Sequence, residues 1–447
     1  MREPTIYALA SGRGRAGIAV IRVSGPGARD AAAALAGADL PVRRAVRVDL
    51  TDPAGGDLLD RGLAIFFPGP ASFTGEDVLE LHVHGGLAVV DGVLAALSGL
   101  EGLRLADPGE FTRRGFENGK IDLTAAEGVA DLVAAETAQQ RRQALAQMGG
   151  ALADFTEGAR ARLVAALAHW EAAIDFSDEE LPADLETSVV AEAESLAGEI
   201  SRHLADGHRG ERLRHGVDVA IVGAPNAGKS SLLNRLSRRD AAIVSETAGT
   251  TRDIIEVHFE LAGYAVILAD TAGLRDADGD IEAEGVRRAL ERARRADLRI
   301  VVLDGSVWPE IATETRDWIA AGSLVAVNKT DAMAGAVPER VEGEPAIGIS
   351  AKTGAGVDAL LAALEAEVAR IFAGQVAPLV TRARHREALA ETRAALQRFL
   401  GAEGRLVRPE LAAEDLRLAA RALGRITGSV DVEDLLDVIF ADFCIGK

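Results

Sequence analysis

The chain has 447 residues, 48% hydrophobic and 26% charged, too long for one ordinary core and too apolar for general disorder, so a globular protein of about three domains is expected. Its 49 basic against 69 acidic side chains leave a formal net charge of -20, which excludes a diffuse electrostatic grip on nucleic acid or an acidic membrane and confines such contacts to local basic patches. The single cysteine, Cys444, excludes an internal disulfide, no Cys/His cluster has zinc-site spacing, and neither a signal peptide nor a run of about 18 apolar residues is seen; a reducing, cytoplasmic setting is expected.

From Ile6 to about Leu105, short strand-like runs (YALA, GIAVIRVSG, GLAIFFPG, VLELHVHGG) alternate with Ala-rich helical stretches, which predicts an α+β domain. Residues 123 to 213 turn to Ala/Leu/Glu/Arg sequence with helical spacing and hardly any internal glycine. At Val217 the period changes again. VDVAIVG, YAVILAD, LRIVVLD and SLVAVN are apolar strand-like runs separated by loops and helical segments, the pattern of a parallel sheet flanked by helices. After about Ala373 helical sequence resumes, so an α/β unit interrupts a helical one, and the helices on its two sides are expected to form one domain.

Within the α/β unit, GAPNAGKS (Gly223 to Ser230) matches the phosphate-loop pattern directly after an apolar strand and directly before a helix. Its candidate phosphate contacts are Asn226, Ala227, Gly228, Lys229, Ser230 and Ser231: backbone N–H groups close on the phosphates, Lys229 reaches their oxygens, and the Ser230 hydroxyl can hold magnesium. Alone, the pattern could be a glycine-rich turn with Lys229 as a solvated cap. Its companions argue otherwise. Asp270, Thr271, Ala272 and Gly273 close the next apolar run, where the carboxylate can hold metal through water and the glycine amide can sense a γ-phosphate. Asn328, Lys329, Thr330 and Asp331 follow another run, and the Asp331 carboxylate can accept from two guanine donors that adenine lacks. Ser350, Ala351 and Lys352 supply a loop suited to the base oxygen, and Gly249, Thr250, Thr251 and Arg252 offer a magnesium hydroxyl. Order and placement resemble those of small GTPase domains over residues 217 to 373.

Water activation is less direct, because Leu274 stands where Ras-like proteins have a water-orienting glutamine. The polar candidates on the following segment are Asp276, Asp278, Asp280, Glu282 and Glu284, each with a solvated surface acid as its bland alternative. No arginine finger identifies itself. Asn226 and the stretch Ser245, Glu246, Thr247, Ala248, Gly249, Thr250 and Thr251 could offer oxygens to a monovalent cation beside the phosphates instead.

The opening GRGRAGIAVIRVSGP, the stretches PASFTGEDVLELHVHGG and PGEFTRRGFENGKIDLTAAEG, and the terminal Cys444-Ile445-Gly446-Lys447 resemble, together with the GTPase motifs, the MnmE (TrmE) family of tRNA-modification GTPases over essentially the full chain. The resemblance implies an N-terminal folate-binding and dimerisation domain (residues 1–120), a helical domain in two parts (121–213 and 376–447) and an inserted Ras-like P-loop GTPase domain (214–375). It implies a homodimer that works with an FAD-dependent MnmG-type partner, in a heterotetramer or larger, to install an aminomethyl or carboxymethylaminomethyl group at C5 of the wobble uridine of certain tRNAs. The carbon comes from a methylene- or formyl-tetrahydrofolate derivative. The family's catalytic glutamate falls on Glu282. Its potassium (K+) site falls on Asn226, Ser245, Thr247 and Thr250, magnesium (Mg2+) on Ser230 and Thr251, and folate on Arg22, Glu80, Lys120 and Lys447. One departure is Thr247 within SETAGTTRD, where the family has an apolar residue; main-chain carbonyls can ligate there instead.

Other residues carry two readings each. His82 and His84 share a strand face, as a two-His metal site or as polar packing. Cys444 is a thiol participant or a small buried side chain. The basic islands Arg209 to His215 and Arg382 to Arg386 touch tRNA or a partner, or are solvated helix faces. Two competing functions remain open at this point. A GTP-dependent assembly factor for ribosomal RNA would carry an RNA-binding module in place of the outer regions, and a free-standing folate aminomethyltransferase would use the G domain for regulation.

Overall fold

The computed structural model describes residues 4–37, 39–175, 185–238, 242–243, 256–270, 287, 290–320, 322–373, 378–401, 408–430, 436–437, 439–440, 443 and 446. The chain is mixed α/β and divides into two compact units, one of residues 1–130, 147–194 and 394–447, the other of 131–146 and 195–393.

In the first unit, β1 (Thr5–Leu9), β2 (Ala16–Ser24), β3 (Val46–Thr51), β4 (Leu58–Phe67), β5 (Val78–Gly85) and β6 (Leu103–Leu105) form a sheet of order β3-β4-β5-β2-β1-β6. All pairings are antiparallel except β1 with β6. Period-two alternation sends Leu79, Leu81 and Val83 of β5 and Ala19, Ile21 and Val23 of β2 into the core. There they meet Ala28, Ala31, Ala32 and Leu35 of helix Ala28–Ala36 and Val90, Val93 and Leu97 of helix Leu87–Ser98. The opposite face therefore carries Arg22 and Glu80, directly paired in the β2–β5 register. Strands β3 and β6 have no counterpart among the sequence expectations, because short edge strands with charged alternate positions give little apolar signal.

The long helices of this unit pack through small residues. Helix Pro409–Thr427 lies along helix Ala151–Asp175 and buries Ala412, Ala413, Leu416, Ala419 and Leu423, alanines permitting a close approach. Trp170 meets Phe399 edge to face at 5.2 Å and donates its indole N–H to the Pro409 carbonyl at 3.0 Å. Near the C-terminus, Leu436, Phe440 and Phe443 pack on Leu123 and Ala126. Gly446 lies so close to β1 that a Cβ on it would stand 2.2 Å from the Leu9 carbonyl oxygen.

In the second unit, β7 (Val217–Val222), β8 (Ala242–Ile243), β9 (Glu256–Leu261), β10 (Tyr264–Asp270), β11 (Leu298–Asp304), β12 (Ser323–Asn328), β13 (Arg340–Val341) and β14 (Glu344–Gly348) form a sheet of order β13-β14-β12-β11-β7-β10-β9-β8. The run β14-β12-β11-β7-β10 is parallel. The four apolar runs read as strands in the sequence are its central members, buried on both faces. One face packs on helices Lys229–Ser237 and Val357–Ile371 through Leu232, Leu233, Leu236, Leu360 and Leu364, the other on Ala293 and Ala296. The hairpin β9–β10 escaped the sequence reading. Its turn at Ala262 and Gly263, both with positive φ, is the primed type that matches strand twist. Among the described residues no helix is long and apolar enough to cross a membrane.

The basic islands are tied into this unit by acids. Asp131 Oδ1 accepts from Arg214 Nε at 2.7 Å and from Arg382 Nη2 at 2.7 Å, Arg212 pairs with Asp297 at 2.6 Å, and Arg386 pairs with Glu211. These arginines are thereby largely committed within the protein. Asp131 is buried, so Asp131→Asn removes the countercharge of two arginines at once. It is expected to cost about 3 kcal/mol, read as an earlier urea midpoint. An unchanged midpoint would show the clasp to be energetically idle.

Candidate nucleotide site

The parallel sheet reverses its winding at β7, whose neighbours β10 and β11 lie on opposite sides, and ligands bind outside the strand ends at such switch points. The loop after β7 sits there. Gly223 has φ +151°, and a Cβ on it would stand 2.3 Å from the Val302 carbonyl oxygen. Asn226 takes a left-handed φ of 64°, which asparagine tolerates better than most residues, and Gly228 (φ +97°) caps helix Lys229–Ser237. Lys229 is buried, its ammonium donating to the carbonyls of Gly223 at 2.9 Å and Ala224 at 3.0 Å, so the cation lies over the loop's own rim. Ala227 of the loop is buried, Ser230 and Ser231 follow in the first helical turn, and Asp270 ends β10 opposite Ile221 of β7.

The base side is joined to this loop by one buried side chain. Asn328, at the end of β12, donates from Nδ2 to the Ala227 carbonyl at 2.8 Å and accepts at Oδ1 from the Ala351 N–H at 2.9 Å. Expected from the sequence to meet the nucleotide, Asn328 also joins the phosphate loop to the loop of Ser350 to Lys352 in the structure. Lys329 pairs with Asp304 at 2.6 Å. Burial alone would raise the Asp304 carboxyl, but Lys329 and Ser306 hold it below its usual range. Asp331 Oδ1 accepts from the Ser350 hydroxyl at 2.6 Å, a bond that lowers its carboxyl, so the group stands ionised beside Ala351 and Lys352. An ionised, exposed carboxylate suits the two N–H donors on one edge of guanine.

Ser245, Glu246, Thr247, Ala248, Gly249, Thr250, Thr251, Arg252, Thr271, Ala272, Gly273, Leu274, Asp276, Asp278, Asp280, Glu282 and Glu284 lie outside the described residues, as do Cys444 and Lys447.

In the first unit the structure brings Arg22 and Glu80 together, Nη2 to Oε1 at 2.9 Å, with the guanidinium 5.7 Å from the Phe73 ring and 5.8 Å from the Phe111 ring. Lys120 is exposed and runs past Gly75, two residues beyond Phe73, its Cγ 3.3 Å from where a Gly75 Cβ would sit. Phe73, partly exposed beside Arg22, had no sequence signal beyond its aromaticity. His84 Nδ1 lies 2.8 Å from Asp60 Oδ1 and His82 Nε2 lies 3.4 Å from Glu80 Oε2, each with its own acid. Among the described residues no cluster of three or more His, Cys, Asp or Glu could hold a metal ion.

A phosphate loop at the switch point of a parallel sheet, stapled to a carboxylate-bearing base loop, defines a P-loop nucleotide hydrolase of the GTP-selective type. Matches to known proteins extend beyond that unit. Residues 5–120 match the family model "GTP-binding protein TrmE N-terminus" and residues 123–444 the model "MnmE helical domain". A relative from Paramagnetospirillum magneticum, named tRNA modification GTPase MnmE, is 58% identical over 99% of this chain and 99% of its own. One of the same name from Parvibaculum lavamentivorans is 59% identical over 99% of this chain and 100% of its own. The chain belongs to the MnmE (TrmE) family of tRNA modification GTPases.

Proposed function

We propose that the chain is a potassium-stimulated GTP hydrolase whose nucleotide cycle drives installation of an aminomethyl or carboxymethylaminomethyl group at C5 of the tRNA wobble uridine, as a cytoplasmic homodimer working with an MnmG-type flavoprotein. The observation that carries the reading is Asn328, which ties the phosphate seat to the guanine seat in a chain matched over nearly its whole length by proteins named for tRNA modification. Because both outer regions match the family, the ribosomal assembly reading has nothing specific in its favour.

In this proposal Lys229 and the amides from Asn226 to Ser231 hold the phosphates, and Asp331 with Ser350 to Lys352 identifies the base. Asp270 would hold the metal through water, the Gly273 amide would sense the γ-phosphate, and Glu282 orients the attacking water. Ser230 and Thr251 would hold magnesium, and Asn226, Ser245, Thr247 and Thr250 potassium; together the ions supply positive charge to the transferring phosphoryl group. The donor set is oxygen-rich, and its described members, Asn226 and Ser230, stand before and within the first turn of helix Lys229–Ser237. Arg22, Glu80, Lys120 and Lys447 would hold a tetrahydrofolate derivative, which supplies the one-carbon unit. An Arg–Glu pair beside an exposed aromatic ring suits a pterin, and Gly446 lies against Leu9 of β1, the neighbour of the strand that bears Arg22. Cys444 stands in that motif as a thiol participant or a buried side chain.

Mass spectrometry of tRNA nucleosides from cells lacking the protein tests the reading: the modified wobble uridines should disappear, and an unchanged profile would refute it. Two further results are expected with purified protein. Exchanging potassium for sodium at constant ionic strength should slow GTP turnover at least about tenfold; equal rates would remove the cation from the mechanism. Asp331→Asn should lower GDP affinity by about 10- to 100-fold and erase the preference over inosine diphosphate, which lacks the 2-amino donor; a retained preference would move the base pocket elsewhere.

A further inference from the structure

We infer that Arg235 is a positioning residue for base recognition, aiming the Lys352 N–H at the oxygen on C6 of guanine; the inference rests on the reading of Ser350 to Lys352 as the base loop. Arg235 lies on helix Lys229–Ser237, whose first residue is the phosphate-loop lysine, six residues and about 9 Å further along. Its guanidinium forks onto two successive carbonyls of the base loop, Nε donating to Ala351 O at 3.1 Å and Nη2 to Lys352 O. Gly354 makes room for the fork. A Cβ there would stand 3.3 Å from Nη1 and 3.4 Å from Cζ, and the residue holds φ +94°.

The peptide unit is planar and trans, so its C=O and N–H point in opposite directions. Turning the Ala351 carbonyl onto Arg235 therefore turns the Lys352 N–H away from it. The other amides of the loop are already engaged: Ser350 N–H with Ala355 O at 2.8 Å, Ala351 N–H with Asn328 Oδ1 at 2.9 Å, Thr353 N–H with Ser350 Oγ at 3.2 Å, and Gly354 N–H with Ser350 O at 2.7 Å. Among the described residues the Lys352 N–H has no protein partner, and it is the loop's free donor. An N–H fixed in this way rewards a purine bearing oxygen at C6 and rejects one bearing an amino group, because two donors would face each other. Asp331 reads the N1 and 2-amino edge; Arg235, through Lys352, sets the reading of the 6-position. One helix thus registers the phosphate seat against the base seat.

The test compares GDP with 6-thio-GDP, whose sulfur is a poor acceptor while its N1–H and 2-amino donors are intact, by calorimetry on the full chain. Wild-type protein should prefer GDP. Arg235→Ala should lower GDP affinity about fivefold, the scale of one hydrogen bond, and leave 6-thio-GDP nearly unchanged, so that the preference collapses. Arg235→Lys, with one cationic donor and no fork, should restore part of it. A merely structural role would weaken both nucleotides equally and leave the ratio intact; that result, or an unaltered GDP affinity, overturns the inference. If Arg235→Ala fails to fold, Arg235→Gln keeps the stem and an amide donor and carries the same comparison. Wild-type protein that bound no GDP would instead overturn the nucleotide site itself, and the inference with it.

Discussion

Gly228→Ala is expected to lower GDP affinity by about a hundredfold. The new Cβ would fall 2.2 Å from Asn328 Nδ2, and position 228 holds φ +97°, where a side chain costs about 1–2 kcal/mol. To escape the overlap, Asn328 must withdraw from Ala227 O, from the Ala351 N–H, or from both. Each is a buried hydrogen bond whose loss leaves a polar group unpaired at about 1–3 kcal/mol, so the total, from about 2 to about 8 kcal/mol, brackets the 2.7 kcal/mol or so that a hundredfold represents. Both seats suffer together, because the same amide supports both. Calorimetry with GDP reads the affinity, and Gly158→Ala is the control: nothing lies within 4 Å of its Cβ, and alanine suits its helix. A Gly228→Ala protein that bound GDP normally would mean that Asn328 does not hold the loop.

Under the proposed mechanism, Glu282→Ala should slow single-turnover GTP hydrolysis by about a hundredfold or more while leaving GTP and GDP affinities unchanged, the scale of removing a group that orients a nucleophile. Leu274 has no polar atom with which to hold the water, so the task passes to another side chain of the following segment. Asp280→Ala and Glu284→Ala serve as neighbours of similar charge and should turn over at near wild-type rates. Normal turnover by Glu282→Ala would transfer the role to one of those acids. Reduced affinity together with reduced rate would mean instead that the substitution disturbs nucleotide binding.

Of the strands that the sequence announced, β1, β2, β4 and β5 appeared as short strand-like runs, and β7, β10, β11 and β12 as the uninterrupted apolar runs that burial on both faces forces. The phosphate loop was equally legible, because glycine at Gly223 and Gly228 answers a local demand, a φ that other residues resist and a backbone or side chain too near for a Cβ. The hairpin turn was missed because an alanine, Ala262, takes the positive φ that usually announces itself as glycine or asparagine, the edge strand β3 because charged alternate positions blur its apolar pattern, and β6 because its partner β1 lies far away in the chain, Leu103 pairing with Thr5. The basic islands were open to two readings for the same reason. That Asp131 holds both Arg214 and Arg382 joins positions 83 and 251 residues apart.

By itself the sequence determined where a phosphate-loop pattern falls, which apolar runs become the central strands of the second unit's sheet, and which family the chain resembles. These follow from short spacings and from backbone demands that a residue meets or fails alone. Only the tertiary structure decided that Asn328 acts as a staple, that Arg235 holds the base loop, and that Phe73 and Phe111 flank the Arg22–Glu80 pair. Those roles arise from hydrogen bonds and contacts between segments distant in the chain, and no local pattern encodes which carbonyl a buried amide or a guanidinium will meet.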